Sequence, residues 1–173
     1  MNNQAKCQII LEYTTNHTPD GEFHIIFDSD GIARASGFGN IQDLKERLPE
    51  ELRSASLVSV DSHPYQKLVQ AYYDGDKNAL DAIPLDQTGS DFQKKVWQAI
   101  SEVPYGKTIS YKELAEKSGN PVAVRAVGAI CGLNRLILLI PCHRILKSDG
   151  GIGNYLYGYE IKKSLLQHEN AAI

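Results

Sequence analysis

Ile137-Leu138-Leu139-Ile140 is an unbroken apolar run that stops at Pro141 and is followed at once by Cys142, His143 and Arg144. Four aliphatic residues in a row leave no side chain to face water, so the chain must build a core around all of them. The run, with isoleucine at both ends, predicts a short strand buried on both faces, ended by Pro141 because proline cannot donate to a ladder. Cys142 then falls where rigid core gives way to a site. A buried cysteine is commonly an inert small hydrophobe. Its neighbours argue for more: His143 can take a proton and Arg144 carries fixed positive charge, a setting expected to lower a thiol pKa from its free value of roughly 8.5.

A chain of 173 residues is one large domain or two small ones, long enough to bury a real core. No apolar run approaches the roughly 20 residues that a membrane span needs, and the polar start Met1-Asn2-Asn3-Gln4 does not resemble a signal peptide. The expected setting is therefore away from membranes and cytoplasmic, or nuclear in a eukaryote. Cys7, Cys131 and Cys142 are an odd number at no metal-like spacing, which predicts reduced thiols rather than a disulfide framework. The net charge of -3 hides a split: residues 1–89 carry 7 Lys+Arg against 14 Asp+Glu, residues 90–173 carry 11 against 7. A polyanion would meet the second half, although a solvated surface explains that modest excess as well.

Taken in order, residues 6–13 and 22–27 predict strands separated by the polar segment 14–21, with a weaker strand over 32–38. A short helix follows over 40–48, ended by Pro49, then a strand over 56–60. A helix opened by His63-Pro64 carries Leu68, Val69 and Tyr72. His17, His24 and His63 have no spacing of a ligand set. Residues 79–89, with Pro84 and Gly89 as breakers, form the expected linker. The predicted fold class is α+β, with an α/β domain over 1–84 and a mainly helical domain over 85–173.

Beyond the linker, Ser90 and Gln93 make a capping box for a helix over 91–102 with Phe92, Val96, Trp97 and Ile100 on one face. Ser110 and Glu113 make a second box, for a helix closing at Gly119. Asn120 with Pro121 predicts the start of the next helix, which runs to about Gly132. Two short helices joined by Gly-Asn-Pro form a helix-turn-helix pattern, although helical hairpins also occur in enzymes that bind no nucleic acid. The second helix is unusual. Arg125, Gly128 and Gly132 share a stripe flanked by Ala123, Ala126 and Ala129, one long cation on an otherwise bare face. Each interior glycine costs about 1 kcal/mol relative to alanine, so something should need the close approach: another helix, or a minor groove that Arg125 could enter.

Ser148 to Gly158 reads as a loop whose Tyr155, Leu156 and Tyr157 supply an aromatic and apolar wall. A last helix spans about Tyr159 to Glu169. Glu169 falls on its apolar face, where a carboxylate needs a partner, and His143 is the obvious candidate.

Pro141-Cys142-His143-Arg144, with Asn134 and Arg125 upstream and Gly153-Asn154-Tyr155 and a terminal Leu-Leu-x-His-Glu downstream, resembles the O6-alkylguanine-DNA alkyltransferases over roughly Asp91 to Glu169. Trp97, Pro104, Gly106 and Ile109-Ser110-Tyr111 fit as well. Residues 1–80 resemble that family only as a small α/β domain of ribonuclease H-like appearance, and the helix-turn-helix would be winged-helix-like. The resemblance implies direct DNA repair. An alkyl group moves irreversibly from O6 of guanine, with O4-alkylthymine a further candidate, to a cysteine of the protein, which acts once and needs no cofactor. It implies Cys142 as nucleophile, His143 as its base through a water, Glu169 as orienter of the imidazole, and Asn134 as the tie between the cysteine turn and the helix-turn-helix. Tyr111 would bond the flipped guanine, and Arg125 would fill the hole it leaves in the duplex. Ala123, Ala126 and Gly128 would lie in the minor groove, while Tyr155, Leu156 and Tyr157 would wall the alkyl pocket. The partner is double-stranded DNA and the expected state a monomer.

Two departures matter. Cys7 stands without a second N-terminal cysteine, so no metal is expected, and Ile137, Leu156 and Tyr157 stand where some relatives carry proline, serine and a small residue. Three other readings compete: a cysteine hydrolase, which would need a histidine from elsewhere such as His168; a regulator that binds DNA without catalysis; and a lesion-binding protein, which would lack the acceptor thiol.

Overall fold

The computed structural model describes residues 8–173. Of the strand expected over 6–13, Lys6 and Cys7 lie outside the described residues. Strand β1 is Ile10–Thr18 and continues through the threonine-rich segment read as a separator. Threonine is β-branched and suits a pleated surface. Only Pro19 and Asp20 lie between its end and β2, Gly21–Phe27. Strand β3 is Ala33–Phe38, helix α1 Ile41–Glu46 under an Asn40 cap, β4 Ser56–Ser59 and helix α2 Pro64–Tyr73 under a His63 cap. The sheet order is β3-β2-β1-β4, antiparallel except for the β1–β4 pair.

Both faces of the sheet are covered. Leu11, Ile26 and Ala35 pack with Leu44 and Leu48 beneath α1. Phe23, Ile25 and Phe27 face the other way into one large cluster that includes Val69 and Tyr72 of α2, Val96, Trp97 and Ile100, and the whole run Leu136–Ile140. The segment read as a linker is packed too: Ala79–Ala82 is a single 3-10 turn, and Leu85 bridges Ala33.

The free edge of β3 is closed by later parts of the chain, which removes an open row of backbone donors and acceptors. The Ala33 amide donates to Pro84 O at 2.8 Å, the Ser36 amide to Arg135 O at 2.8 Å, and the Ile137 amide back to Ser36 O at 3.2 Å. The Ser36 hydroxyl adds a bond to Ile137 O at 2.7 Å. The sheet edge thus sets the position of residues 135–137, immediately before the cysteine.

The second half is helical. Helix α3 is Asp91–Ser101 and carries the expected capping box; β5, Ile109–Ser110, leads into α4, Tyr111–Lys117, which carries the other. Gly119 at φ +84° closes α4 as expected. The start of the next helix differs from expectation. Helix α5 is Val124–Gly132, and neither Asn120 nor Pro121 begins it, because a hydrogen-bonded turn from Asn120 O to the Ala123 amide intervenes. Strand β6, Ile145–Leu146, pairs with β5, and α6, Tyr159–His168, closes the chain. Among the described residues no helix is long and apolar enough to cross a membrane.

Candidate active site

Residues 137–140 are buried as expected but do not form a strand. Leu136 and Leu138 to Ile140 make a tight turn, with the Ile140 amide bonded to Leu136 O at 2.7 Å and Leu138 at φ +71°. A leucine in the left-handed region costs roughly 1–3 kcal/mol and persists only where its surroundings overdetermine it. Asn134 supplies that constraint. It is fully buried, its Oδ1 accepts the Leu136 amide at 2.9 Å, and its Nδ2 donates to Ile140 O at 2.9 Å. One side chain therefore staples both ends of the turn. Pro141 follows with φ -80° and ψ 61°, an inverse γ-turn in which the Cys142 amide bonds Ile140 O. Cys142 to Arg144 then form one 3-10 turn.

This turn places Cys142 Sγ 3.4 Å from Asn134 Nδ2 and at the floor of a cavity of about 250 Å³. Tyr111, at the start of α4, Gly128, Cys131 and Gly132 of α5, and Ile137, Asn154, Tyr155 and Leu156 complete its lining. Tyr157, expected in the same wall, packs elsewhere. Its ring meets Phe38 edge-on at 5.5 Å and its hydroxyl lies over Gly37, where a Cβ would come within 2.0 Å. The chain turns here, with the Gly158 amide bonded to Tyr155 O at 3.0 Å, and Tyr157 is held at Phe38 of β3 rather than in the wall.

Behind the thiol, His143 and Glu169 meet as expected, with Nε2 to Oε1 at 2.8 Å and both side chains fully buried. The carboxylate only accepts, so Nε2 bears the proton and Nδ1 is left as a buried acceptor with no partner among the described residues. Glu169 is more heavily engaged than the sequence suggested. Arg144 donates through Nε at 2.9 Å and Nη2 at 3.0 Å, Tyr72 through its hydroxyl at 2.8 Å, and the Gly106 amide at 3.3 Å. Burial alone would raise its pKa, but the bonds from His143 and Arg144 hold it well below the ordinary carboxylate range.

The thiol differs from expectation. Burial pushes the Cys142 pKa up, and burial also lowers that of His143 against the pull of Glu169. Arg144 does not activate the thiol directly, because it is spent on Glu169. The resting pair is thus a neutral thiol and a neutral imidazole. Burial also raises Cys131, to about 12, leaving it protonated, and Tyr111, pushed to about 12, is a phenol that can donate.

Lys162, wholly buried on α6, was missed by the sequence reading. Its ammonium donates to Ile145 O at 2.6 Å and lies 5.9 Å from the centre of the Tyr111 ring, and burial lowers its pKa to about 8. It stands at i, i+3, i+4 and i+7 with Leu165, Leu166 and Glu169, the same face that exposed Glu169 as anomalous, so the signal was present.

The bare face of α5 is open. Arg125 and Ala126 are exposed, Ala123 is half-buried, and a Cβ built on Gly128 or Gly132 meets nothing within 4 Å. Among the described residues no second helix takes up that close approach. Among the described residues no group of three or more His, Cys, Asp or Glu is assembled as a metal site.

The family model for the DNA-binding domain of 6-O-methylguanine DNA methyltransferase matches residues 91–171. The inducible methylated-DNA–protein-cysteine methyltransferase of Bacillus subtilis is 36% identical over 134 residues, which are 76% of this chain and 74% of that protein. The chain belongs to this methyltransferase family. The similarity extends through the fold: the crystal structure of the Mycobacterium tuberculosis O6-methylguanine methyltransferase superposes with a TM-score of 0.73 at 28% identity, covering 92% of this chain and 93% of that one. A structure of the same M. tuberculosis protein in complex with DNA gives 0.75 at 27% identity, with 92% of each chain covered. The chain also matches the Ada protein of Escherichia coli at 46% identity over 87 residues but spans only 25% of its length.

Proposed function

We propose that this methyltransferase repairs duplex DNA by moving the alkyl group of O6-alkylguanine irreversibly to Cys142, one group per protein molecule. The observation that carries the reading is a buried Cys142, His143 and Glu169 set opening onto a cavity beneath the bare face of α5. The carbon–oxygen bond to guanine breaks as the carbon–sulfur bond forms. The thiol proton passes through a water to Nδ1 of His143, an acceptor that no group among the described residues occupies. Glu169 stabilises the resulting imidazolium and remains ionised because Arg144 also holds it. Tyr111 donates a hydrogen bond to the departing guanine anion, which takes up a proton from solvent as it leaves, while the His143 imidazolium returns its proton to solvent. Asn134 keeps the cysteine turn fixed to α5, so that docking and chemistry share one rigid piece.

Binding runs through the minor groove. Ala123, Ala126 and Gly128 allow close approach, and Arg125 enters the stack as the damaged base turns out into the cavity, flanked by Tyr155 and Leu156. That mode needs little basic charge, in keeping with the modest excess of residues 90–173. O4-alkylthymine, which carries its alkyl group on a comparable oxygen, is the second candidate substrate. Residues 85–173 hold the chemistry, residues 1–84 support it, and the protein acts as a monomer. Incubating limiting protein with excess duplex containing O6-methylguanine tests this directly: repaired guanine should stop accumulating at one equivalent per protein. Continued turnover, or no repair, would overturn it.

A further inference from the structure

The acidic half of the chain supplies no reacting group, yet one of its side chains touches the relay. Tyr72, near the end of α2, is only 2% exposed. Its ring packs edge-on against Tyr73 at 5.1 Å and Tyr105 at 5.9 Å, and lies against His168 at 5.0 Å. His168 Nε2 donates to Tyr72 O at 2.9 Å, so α2 and α6 are locked together at this point. Packing on every side fixes where the phenol points. It points at Glu169 Oε1, 2.8 Å away, the same oxygen that accepts from His143 Nε2 at 2.8 Å. Core packing alone would be served by phenylalanine, whereas a buried hydroxyl must be satisfied and here is satisfied by the carboxylate that orients the base.

We propose that Tyr72 is a positioning residue supplied by the N-terminal half: its hydroxyl shares Glu169 Oε1 with His143 Nε2 and moderates the carboxylate's pull on the imidazole proton. The proposal rests on His143 being the base. A carboxylate oxygen shared among several donors offers less charge to each, so the Tyr72 bond lowers the basicity that Glu169 confers on His143. The other groups facing the relay are accounted for. Arg144 pairs with Glu169 and, with Lys162, opposes a positive charge on His143; the Tyr105 ring lies beside Tyr72 and 5.8 Å from the Arg144 guanidinium carbon. Burial and the adjacent Glu169 raise the Tyr72 phenol far above its ordinary value, so it donates at every working pH.

Tyr72→Phe removes the hydroxyl and keeps the ring. Arg144 and the Gly106 amide still hold the carboxylate in place, so the freed charge turns toward His143. The His143 titration, followed by nitrogen-detected NMR, should move up by about half a unit, a roughly threefold change in proton affinity, and the acid limb of the single-turnover transfer rate should move with it. Placing 3-fluorotyrosine at position 72, a stronger donor of nearly the same shape, should move both downward, and covers the case in which Tyr72→Phe does not fold. A folded Tyr72→Phe protein whose titration and acid limb coincide with the native ones would overturn the proposal, as would a downward shift. The NMR titration needs no alkylated DNA, so a failure of the repair reading itself would be recognised separately.

Discussion

Replacing Glu169 with glutamine should damage stability as well as chemistry. The structure places five donors around that carboxylate: His143, Tyr72, the Gly106 amide and two from Arg144. Glutamine replaces an accepting oxygen with a donating amide and leaves the Arg144 guanidinium without its counter-charge. Removing one member of a buried ion pair costs about 3–5 kcal/mol, and since Arg144 is 11% exposed, the lower end, about 3 kcal/mol, is expected. A domain of ordinary stability, about 5–15 kcal/mol, survives that loss. The pH dependence gives a second signature. Glu169 titrates below its unfolded value of 4.5, so its contribution is complete above that pH and is lost as pH falls toward the folded value. Urea unfolding of native and variant protein should therefore show a constant gap near neutrality that narrows on acidification. Single-turnover transfer should slow by about a hundredfold, the low end of the usual contribution of a positioned acid–base group. A stability gap below about 1 kcal/mol with an unchanged transfer rate would refute the reasoning.

Arg125→Ala should slow repair in duplex DNA far more than attack on the free alkylated base, because only the duplex bears the unstacking cost of a few kcal/mol. Equal maximal single-turnover rates on duplex for native and variant protein would leave Arg125 only an electrostatic role, seen as a salt dependence reduced by about one charge. Gly128→Ala should stabilise the protein by up to about 1 kcal/mol in thermal or urea unfolding, since its Cβ meets nothing within 4 Å, while weakening duplex binding. Destabilisation with unchanged DNA affinity would show that the bare face serves packing.

Local signals were the legible ones. The capping boxes at Ser90 and Ser110 formed as read, because each bond in them spans only three residues. Glu169 was legible as a carboxylate on an apolar helix face, and its partner followed. The turn at Leu138 was not, because an apolar run says that residues are buried without saying how the backbone bends, and the bend is imposed by Asn134 and by the β3 edge. Tyr157 was misplaced because its anchor is Phe38 in the other half of the chain, and a run of apolar loop residues does not disclose the turn from Tyr155 to Gly158. The thiol environment was misread because proximity in sequence put Arg144 near Cys142, whereas tertiary structure turns Arg144 onto Glu169 and lets burial dominate the thiol. Tyr72 lies 97 residues from the carboxylate it serves, a contact that no spacing rule reveals.

The central claim is that Cys142 receives the alkyl group while Cys131, in the wall of the same cavity, does not. The measurement that tests it is mass mapping of peptides after reaction with a duplex carrying O6-methylguanine. The account predicts one methyl group, on the peptide containing Cys142, with Cys131 unmodified and no methyl uptake by Cys142→Ser. A methyl group on Cys131, or uptake by Cys142→Ser, would contradict it.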